Sequence, residues 1–260
     1  MPDDTTDELV TYDVDRGVAT LRLNSEPNRN ALSTPLMTKL LEHLDAAAAD
    51  AAVRVVVLGH TGRVFCSGAD LKETAAAREA GEVPAAMLTD VLARLWEFDK
   101  PVIARVGGPA RAGGLGLVAA ADIAVCAAEA TFAFTEVRIG VVPAVISAPV
   151  LRRLRPRDAA ELYLTGTVFD GRRAESIGLV TRAVPAVDLD IAVAGYAEDL
   201  ALGAPGALAG AKRLLRRGDA DIRAELAELS KTSAEFFLSE EGREGVAAFA
   251  EKRDASWVVK

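Results

Sequence analysis

Cysteine, histidine and aromatic residues are scarce in this chain of 260 residues. The two cysteines, Cys66 and Cys126, are too few for a disulfide framework, and we expect each to pack as a small buried hydrophobic side chain. The two histidines, His43 and His60, lie far apart in the sequence, so we expect no metal site. Aromatic residues make up 5% of the chain, which leaves alanine, valine and leucine to fill the core.

Long apolar runs and clusters of basic residues are also missing. No stretch approaches the ~20 apolar residues that span a bilayer, and the acidic start MPDDTTDE lacks the apolar segment of a secretory signal. The formal net charge is -8 and the arginines are scattered, which disfavours a nucleic-acid surface. We therefore expect a cytoplasmic protein that binds neither membrane nor nucleic acid, and that needs a local basic pocket for any anionic ligand.

The order of apolar patterns indicates the fold class. Strands and helices alternate through about residue 185 and only helices follow, which predicts an α/β fold. Residues 10–23 alternate as a β-hairpin does, and residues 53–58 form a continuous apolar run typical of a buried parallel strand. The predicted divisions are a disordered tail at 1–8, an α/β core at 9–200 and a helical C-terminal module at 201–260.

The segment RVGGPARAGGLGLVAAADIAVCAAEATFAFTE, at residues 105–136, joins a glycine-opened helix to an acid. A helix of small residues begins at Gly113 and Gly114, and two apolar runs then lead to Glu136. The start of such a helix presents unpaired N–H groups and the positive end of the helix dipole. These groups stabilise a developing oxyanion when a second donor and an acid/base lie nearby.

A second glycine turn, FCSGADL at residues 65–71, also follows an apolar strand. If the two strands are neighbours in one sheet, both turns open at the same edge, and two main-chain N–H groups can converge on one carbonyl oxygen. Most such glycines only permit tight turns and close packing. Two of these loops, followed by an acid at a strand end, favour an oxyanion site.

These segments, in this order and spacing, resemble the crotonase (enoyl-CoA hydratase/isomerase) superfamily over about residues 10–253. The matching motifs are FCSGADL, GGLGL with AAADIAV, FAFTEVRIGVVP, DGRRAESIGLV and the closing EGVAAFAEKR. The resemblance implies a crotonase-like spiral of ββα units with a helical C-terminal trimerisation module, assembled as a homotrimer or a hexamer. It also implies an acyl-CoA substrate, with coenzyme A as part of the substrate and no separate cofactor.

The same motifs imply roles for single residues. By position, the N–H groups of Ala69 and Gly113 form the oxyanion hole, and Glu136 is the acid/base. Burial beside the neighbouring phenylalanines would raise the pKa of Glu136 towards the operating pH. Without the resemblance, a surface glutamate paired with Arg138 is the ordinary expectation.

The resemblance further implies a groove for coenzyme A and the acyl chain. Arg29 and Lys72 are the local cations for the phosphates, while Phe249 and Lys252 reach the coenzyme A of a neighbouring subunit. Considered singly, each charged residue has the pattern of an ordinary solvated side chain. The expected substrate-binding residues are Arg29, Ala31, Ser67, Gly68, Asp70, Leu71, Lys72, Gly114, Gly116, Phe249 and Lys252.

The chain departs from the family pattern at Gly116, where the hydratases commonly carry a first glutamate. One carboxylate must then move the proton alone. We expect a hydratase that adds water across a 2-enoyl-CoA, with similarity to methylglutaconyl-type enzymes in the TEVRIG, VP and AVIS segments. An isomerase, a decarboxylase or another reaction of the superfamily stays open, as do the acyl chain, the pathway and the choice between trimer and hexamer.

Two other classes of protein stay open from the residues themselves. The run GLGLVA at 114–119 matches the G-x-G-x-x-A nucleotide fingerprint, although it follows its strand by several residues and no Rossmann unit surrounds it. A non-catalytic acyl-CoA-binding protein would keep the oxyanion hole without the chemistry. An intact Glu136 argues against that second class.

Overall fold

The computed structural model describes residues 8–70, 72–74, 85–216 and 221–258. The predicted disordered tail, apart from Glu8, and the expected substrate-binding residue Leu71 lie outside the described residues. Within these ranges, no helix combines the length and the apolar composition that crossing a bilayer requires.

Two β-sheets make up the strand framework of the described residues. The strands are β1 (Val10–Asp15), β2 (Val18–Leu23), β3 (Val55–His60), β4 (Val102–Val106), β5 (Ala110–Arg111), β6 (Ile123–Ala127), β7 (Thr131–Ala133), β8 (Phe169–Asp170) and β9 (Arg182–Val184). The larger sheet has the order β1-β2-β3-β4-β6-β9 and the smaller one the order β5-β7-β8. Strands β1 and β2 form the predicted antiparallel hairpin, and all later neighbours in the large sheet are parallel.

Helices connect the strands and then continue alone to the end of the described chain. They are α1 (Thr34–Ala49), α2 (Ala85–Glu97), α3 (Gly113–Ala120), α4 (Ala144–Val150), α5 (Pro156–Thr165), α6 (Gly171–Ser176), α7 (Leu189–Leu202), α8 (Pro205–Leu215), α9 (Ile222–Leu238) and α10 (Glu240–Glu251). The predicted α/β fold class, with helices only after the last strand, is confirmed.

The adjacency of β3 and β4 brings the two glycine turns together. Both strands are buried parallel neighbours, so the chain leaves them at the same edge of the sheet. There Cys66 and Ala110 form a parallel bridge, and the Arg111 N–H donates to the Cys66 carbonyl at 2.9 Å. The prediction that both turns open at one edge required these two strands to be neighbours, and the structure shows that they are.

The C-terminal helices pack back on the core. Helix α9 contacts α2 and α4 and buries Ile222 and Leu226 against them. Helix α10 packs on the short 3-10 helix Glu136–Ile139 that follows β7. The C-terminal segment therefore covers the part of the core that carries the predicted acid.

Candidate active site

The two glycine turns touch at Gly68 and Ala112. Gly68 has a φ of 98°, and a β-carbon added to it would lie 3.0 Å from the β-carbon of Ala112. The Leu32 N–H donates to the Gly68 carbonyl at 2.8 Å and holds this turn from its other side. The peptide groups that follow Gly68 and Ala112 carry the amides of Ala69 and Gly113, so each amide directly follows one of the two residues in contact.

Ala112 has an unusual backbone conformation, with φ 47° and ψ -119°. A residue with a side chain rarely adopts this conformation, and such strain persists where the surrounding structure enforces it. It turns the peptide that carries the Gly113 N–H, the first amide of α3, which has no acceptor within its own helix. In the described part of the chain, neither the Gly113 amide nor the Ala69 amide donates a hydrogen bond, and both residues line one cavity.

Glu136 lines the same cavity and is buried, with 8% of its surface exposed. Its Oε2 atom is buried and has no hydrogen-bond partner among the described residues. Burial raises the pKa of Glu136 to about 7, against a smaller lowering by a hydrogen bond from its own backbone. Arg138 instead donates to the carbonyl of Thr165 at 2.9 Å, so the surface ion pair with Arg138 is not formed.

A tyrosine that carries no motif lies close to Glu136. The Tyr163 ring is 4.6 Å from that of Phe134, and its hydroxyl is 3.3 Å from the Ser147 hydroxyl, which donates to the Pro143 carbonyl at 2.7 Å. Burial raises the pKa of Tyr163, with a further contribution from the charge of Glu136. These contacts brace Pro143, which lines the cavity; the sequence offered no signal for them.

The cavity wall is apolar on most sides. Helix α9 contributes Ser233 and Phe237, two residues that sequence reasoning missed because this helix matches no motif. Asp70 and Glu73 are the further acids in the lining. The larger apolar side chains of the wall include Leu32, Met37, Leu88, Val142, Ile146 and Phe237.

Two of the expected substrate-binding glycines lie behind this wall. A β-carbon on Gly116 would come 2.7 Å from the Ile146 Cγ2 atom and 3.3 Å from the Leu92 Cδ2 atom. A β-carbon on Gly114 would come 2.8 Å from the Cys66 Cβ atom. The structure thus places both as close-packing positions within α3, and Ile146 fills the space where a first glutamate would extend.

The loop before α1 is tied to the second glycine turn. The Asn28 side chain donates to the Asp70 Oδ2 atom at 2.6 Å, and the Ser67 N–H donates to the Arg29 carbonyl at 3.1 Å. Partial burial raises the pKa of Asp70, but the hydrogen bonds from Asn28 and from two backbone amides outweigh it and hold the pKa below the usual value. Ala31 is buried behind this junction, while the side chains of Arg29 and Lys72 are exposed.

Asn30 organises this loop through its side-chain hydrogen bonds, although no sequence motif singles it out. It is 1% exposed and has a φ of 52°, a conformation that asparagine tolerates better than most residues. Its Oδ1 atom accepts from the Ser25 N–H at 2.7 Å, and its Nδ2 atom donates to the carbonyls of Thr61 and Val64 at 3.2 and 2.7 Å.

The remaining expected residues lie apart from the cavity. Phe249 is 56% exposed on α10, and the exposed Lys252 ends that helix in a left-handed conformation. Their contact with the coenzyme A of a neighbouring subunit stays a prediction. His60 is used within the fold, since its Nε2 atom accepts from the Gly107 N–H at 3.1 Å. Among the described residues, no three His, Cys, Asp or Glu side chains are grouped as metal ligands.

A match to a protein-family model identifies the family of the chain. The model described as Enoyl-CoA hydratase/isomerase matches residues 13–260. The chain belongs to this family. The sequence resemblance to the crotonase superfamily is thereby confirmed, and with it the prediction that the chain is an enzyme.

Individual members of the family are similar along most of the chain. A crystal structure of an enoyl-CoA hydratase from Mycobacterium avium superposes with a TM-score of 0.86 at 44% identity, covering 96% of this chain and 99% of that one. The 2,3-dehydroadipyl-CoA hydratase of Escherichia coli K12 is 32% identical over 91% of this chain and 93% of its own length. The mitochondrial methylglutaconyl-CoA hydratase of Mus musculus is 30% identical over 92% of this chain and 78% of its own length. The crotonase-like fold predicted from the motifs is confirmed by this structural match.

Proposed function

We propose that this enzyme is an enoyl-CoA hydratase that adds water across the C2=C3 bond of a 2-enoyl-CoA thioester. Glu136 is the acid/base, and the amides of Ala69 and Gly113 bind the thioester oxygen. The observation that carries the proposal is the convergence in one cavity of two unused amides and a buried carboxylate whose pKa is about 7. Such a carboxylate both accepts and returns a proton near neutral pH.

The reaction follows from this geometry. Binding between the two amides draws electron density onto the thioester oxygen and leaves C3 electrophilic. Ionised Glu136 takes a proton from water as the water oxygen bonds to C3, and the two amides stabilise the enolate that forms. Glu136 then delivers that proton to C2, which yields the 3-hydroxyacyl-CoA and regenerates the carboxylate. Each oxyanion donor of this kind is worth about 10²- to 10³-fold in rate.

Isomerisation is the second candidate, and one observation favours it. Ile146 occupies the space beside Gly116, so Glu136 acts without a second carboxylate at that position. With a 3-enoyl-CoA, the same residue would take a proton from C2 and return it at C4, moving the double bond into conjugation. The names of the relatives support hydration, because the described family members above are hydratases.

Two substrates distinguish the candidates. Hydration of a 2-enoyl-CoA removes the absorbance of the conjugated thioester, whereas isomerisation of a 3-enoyl-CoA creates it. We expect the purified enzyme to bleach the 2-enoyl substrate and to leave the 3-enoyl substrate largely unchanged. The opposite pattern would assign isomerisation, and no change with either substrate would contradict both candidates.

We also propose that Arg29 and Lys72 meet the phosphates of coenzyme A, and that the enzyme works as a homotrimer or a dimer of trimers. The exposure of both side chains beside the Asn28–Asp70 hydrogen bond supports the first point. Arg29→Ala should weaken binding of coenzyme A thioesters most at low salt, where unscreened charges act over longer distances. Unchanged affinity would remove Arg29 from the site, and sedimentation of the purified protein tests the assembly.

A further inference from the structure

The cavity wall carries three acidic side chains. Asp70, Glu73 and Glu136 line it, and no lysine, arginine or histidine does so within the described part of the chain. Lys72, which lies between Asp70 and Glu73 in the sequence, has an exposed side chain. The rest of the lining is formed by aliphatic, aromatic and small residues, with the hydroxyls of Thr74 and Ser233.

Two of the three acids accept several hydrogen bonds from neighbouring groups. Asp70 accepts hydrogen bonds from the Asn28 side chain and from the backbone amides of Lys72 and Glu73. Glu73 accepts from the Thr34 N–H at 2.8 Å and from the Thr34 hydroxyl at 3.0 Å, at the N-terminus of α1 where a negative charge is favoured. The hydrogen bonds to Asp70 hold its pKa below the usual value, so this residue keeps a negative charge on the wall at neutral pH.

An acyl chain that ends in a carboxylate would add a further negative charge to this wall. A buried charge is tolerated when a partner of opposite sign or several hydrogen bonds compensate for its lost hydration. The described residues of the wall offer such a group no cation, and repulsion by the resident acids adds to the penalty. An alkyl chain of the same length carries no charge, so its burial gains only the favourable free energy of transfer from water.

We propose that the acyl cavity selects enoyl-CoA thioesters with an uncharged acyl chain and rejects those whose acyl chain carries a second carboxylate. The inference rests on the proposed function, because it specifies the substrate of the same site. It reverses the methylglutaconyl-type expectation from the TEVRIG, VP and AVIS segments. It also separates this enzyme from the two relatives whose names denote dicarboxylic acyl groups, dehydroadipyl and methylglutaconyl.

A matched pair of six-carbon substrates tests the proposal on the unaltered enzyme. trans-2-Hexenoyl-CoA and 2,3-dehydroadipyl-CoA differ at the chain end, which is a methyl group in one and a carboxylate in the other. We expect kcat/KM for the hexenoyl substrate to be at least about 100-fold higher, since an uncompensated buried charge costs several kcal/mol. The terminal methyl ester of the dehydroadipyl substrate, which restores neutrality without shortening the chain, should recover most of the rate. Equal or faster hydration of the dicarboxylic substrate would overturn the proposal.

A binding measurement separates failure of this inference from failure of the proposed function. If neither substrate is hydrated, the hydratase assignment is wrong, and calorimetry with the saturated hexanoyl-CoA and adipyl-CoA still compares the two chain ends. Tighter binding of hexanoyl-CoA by at least about 100-fold supports selection by charge, and equal affinity contradicts it.

Ser233 offers a gain-of-function test, because it is 5% exposed and lies on the wall contributed by α9. Ser233→Lys adds a cation to the described wall, and Ser233→Met adds a chain of similar length without charge. We expect the lysine variant to raise the ratio of kcat/KM for the dehydroadipyl over the hexenoyl substrate by at least about 10-fold, as expected for a new ion pair in a partly buried site. The methionine variant should leave the ratio at the value of the unaltered enzyme. A ratio unchanged by lysine, in a variant that folds and binds hexanoyl-CoA, would contradict selection by charge.

Discussion

Gly68 and Ala112 face each other across the junction of the two glycine turns, and both have a positive φ, 98° and 47° respectively. A β-carbon on Gly68 would lie 3.0 Å from that of Ala112, closer than two such atoms ordinarily approach. Each residue is followed by one of the two amides proposed to bind the thioester oxygen. The spacing of those amides therefore depends on the absence of a side chain at residue 68.

Replacing Gly68 by alanine should separate the two turns. The new methyl group would meet Ala112, and alanine would have to adopt a φ that costs about 1–2 kcal/mol. We expect Gly68→Ala to lower kcat at least about 10²-fold, the effect of losing one oxyanion donor. Steady-state kinetics and a denaturation curve together separate this loss from simple unfolding.

Ala112→Gly is the matched control, because it relieves strain at the same contact. The strain of about 1–3 kcal/mol is removed, and the added flexibility of glycine offsets part of it, about 0.5–1 kcal/mol. We expect turnover within a few-fold of the unaltered enzyme and a free energy of unfolding that is equal or slightly higher. If Gly68→Ala kept full turnover while Ala112→Gly lost it, the role assigned to this contact would be wrong.

Glu136 should make the folded enzyme less stable as the pH rises. Its pKa is about 7 when folded and 4.5 as an ordinary glutamate, so between these values the folded state binds more protons than the unfolded state. The stability contribution is complete below pH 4.5 and is lost as the pH rises through 7. The loss amounts to about 3 kcal/mol at most.

Glu136→Gln should abolish that dependence, because the amide does not titrate. We expect the variant to unfold at higher denaturant concentration than the unaltered enzyme at pH 8, and to match it more closely at pH 4.5. Turnover should fall at least about 10²-fold, the lower end of what acid/base catalysis contributes, while acyl-CoA thioesters still bind. If the stability difference between the variant and the unaltered enzyme is the same at both pH values, the carboxylate is hydrated in the folded enzyme.

The pH dependence of catalysis follows from the same carboxylate. Ionised Glu136 accepts the proton from water, so kcat/KM for a 2-enoyl-CoA should rise with pH and level off above a midpoint near 7. Stopped assays between pH 5 and pH 9 measure the curve. A curve that is already level just above pH 5, as expected for an ordinary glutamate with a pKa of 4.5, would place the carboxylate in water.

Gly116 packs against Ile146, so the effects of substituting the two residues on the free energy of unfolding should not be additive. In α3 alanine is favoured over glycine by about 1 kcal/mol, but overpacking against Ile146 costs about 1–3 kcal/mol. We expect Gly116→Ala to destabilise the enzyme on its own, and to be neutral or stabilising in the Ile146→Ala background. Urea denaturation of the four proteins gives the coupling energy, and a value near zero would mean that the two positions do not touch.

Asn30 should be the most sensitive residue of the loop before α1. Its side chain satisfies one backbone N–H and two backbone carbonyls in a buried position. Asn30→Ala leaves these groups unsatisfied and should lower the free energy of unfolding by about 2–3 kcal/mol. Asn28→Ala, in the exposed part of the same loop, is the control and should cost about 1 kcal/mol or less. Similar losses in the two variants would contradict this distinction.

The sequence predicted those features that depend on local patterns. The hairpin of β1 and β2 follows from the alternation at residues 10–23, and the buried parallel strand β3 follows from the apolar run at residues 53–58. Two glycine turns and a strand-end acid indicated the site, and the resemblance to the crotonase superfamily assigned roles to single residues by their position in its motifs. Ala69, Gly113 and Glu136 line one cavity, which is the arrangement that their proposed roles require.

What the sequence could not predict depends on contacts between distant segments. Ser233 and Phe237 reach the cavity because α9 packs back on α2 and α4, and no local pattern records that contact. Gly114 and Gly116 were expected to bind substrate because they belong to the motif, yet close packing against Cys66 and Ile146 accounts for both. The bracing by Tyr163 and the buried bonds of Asn30 likewise appear only once the chain is folded.

A crystal structure of the Glu136→Gln variant with a bound 2-enoyl-CoA would show which groups hold the thioester. We expect the thioester oxygen to lie about 3 Å from the amide nitrogens of both Ala69 and Gly113, with the side chain of residue 136 beside C2 and C3. A thioester oxygen bound away from either amide, or a residue 136 turned from the substrate carbons, would contradict the proposed roles of these three residues.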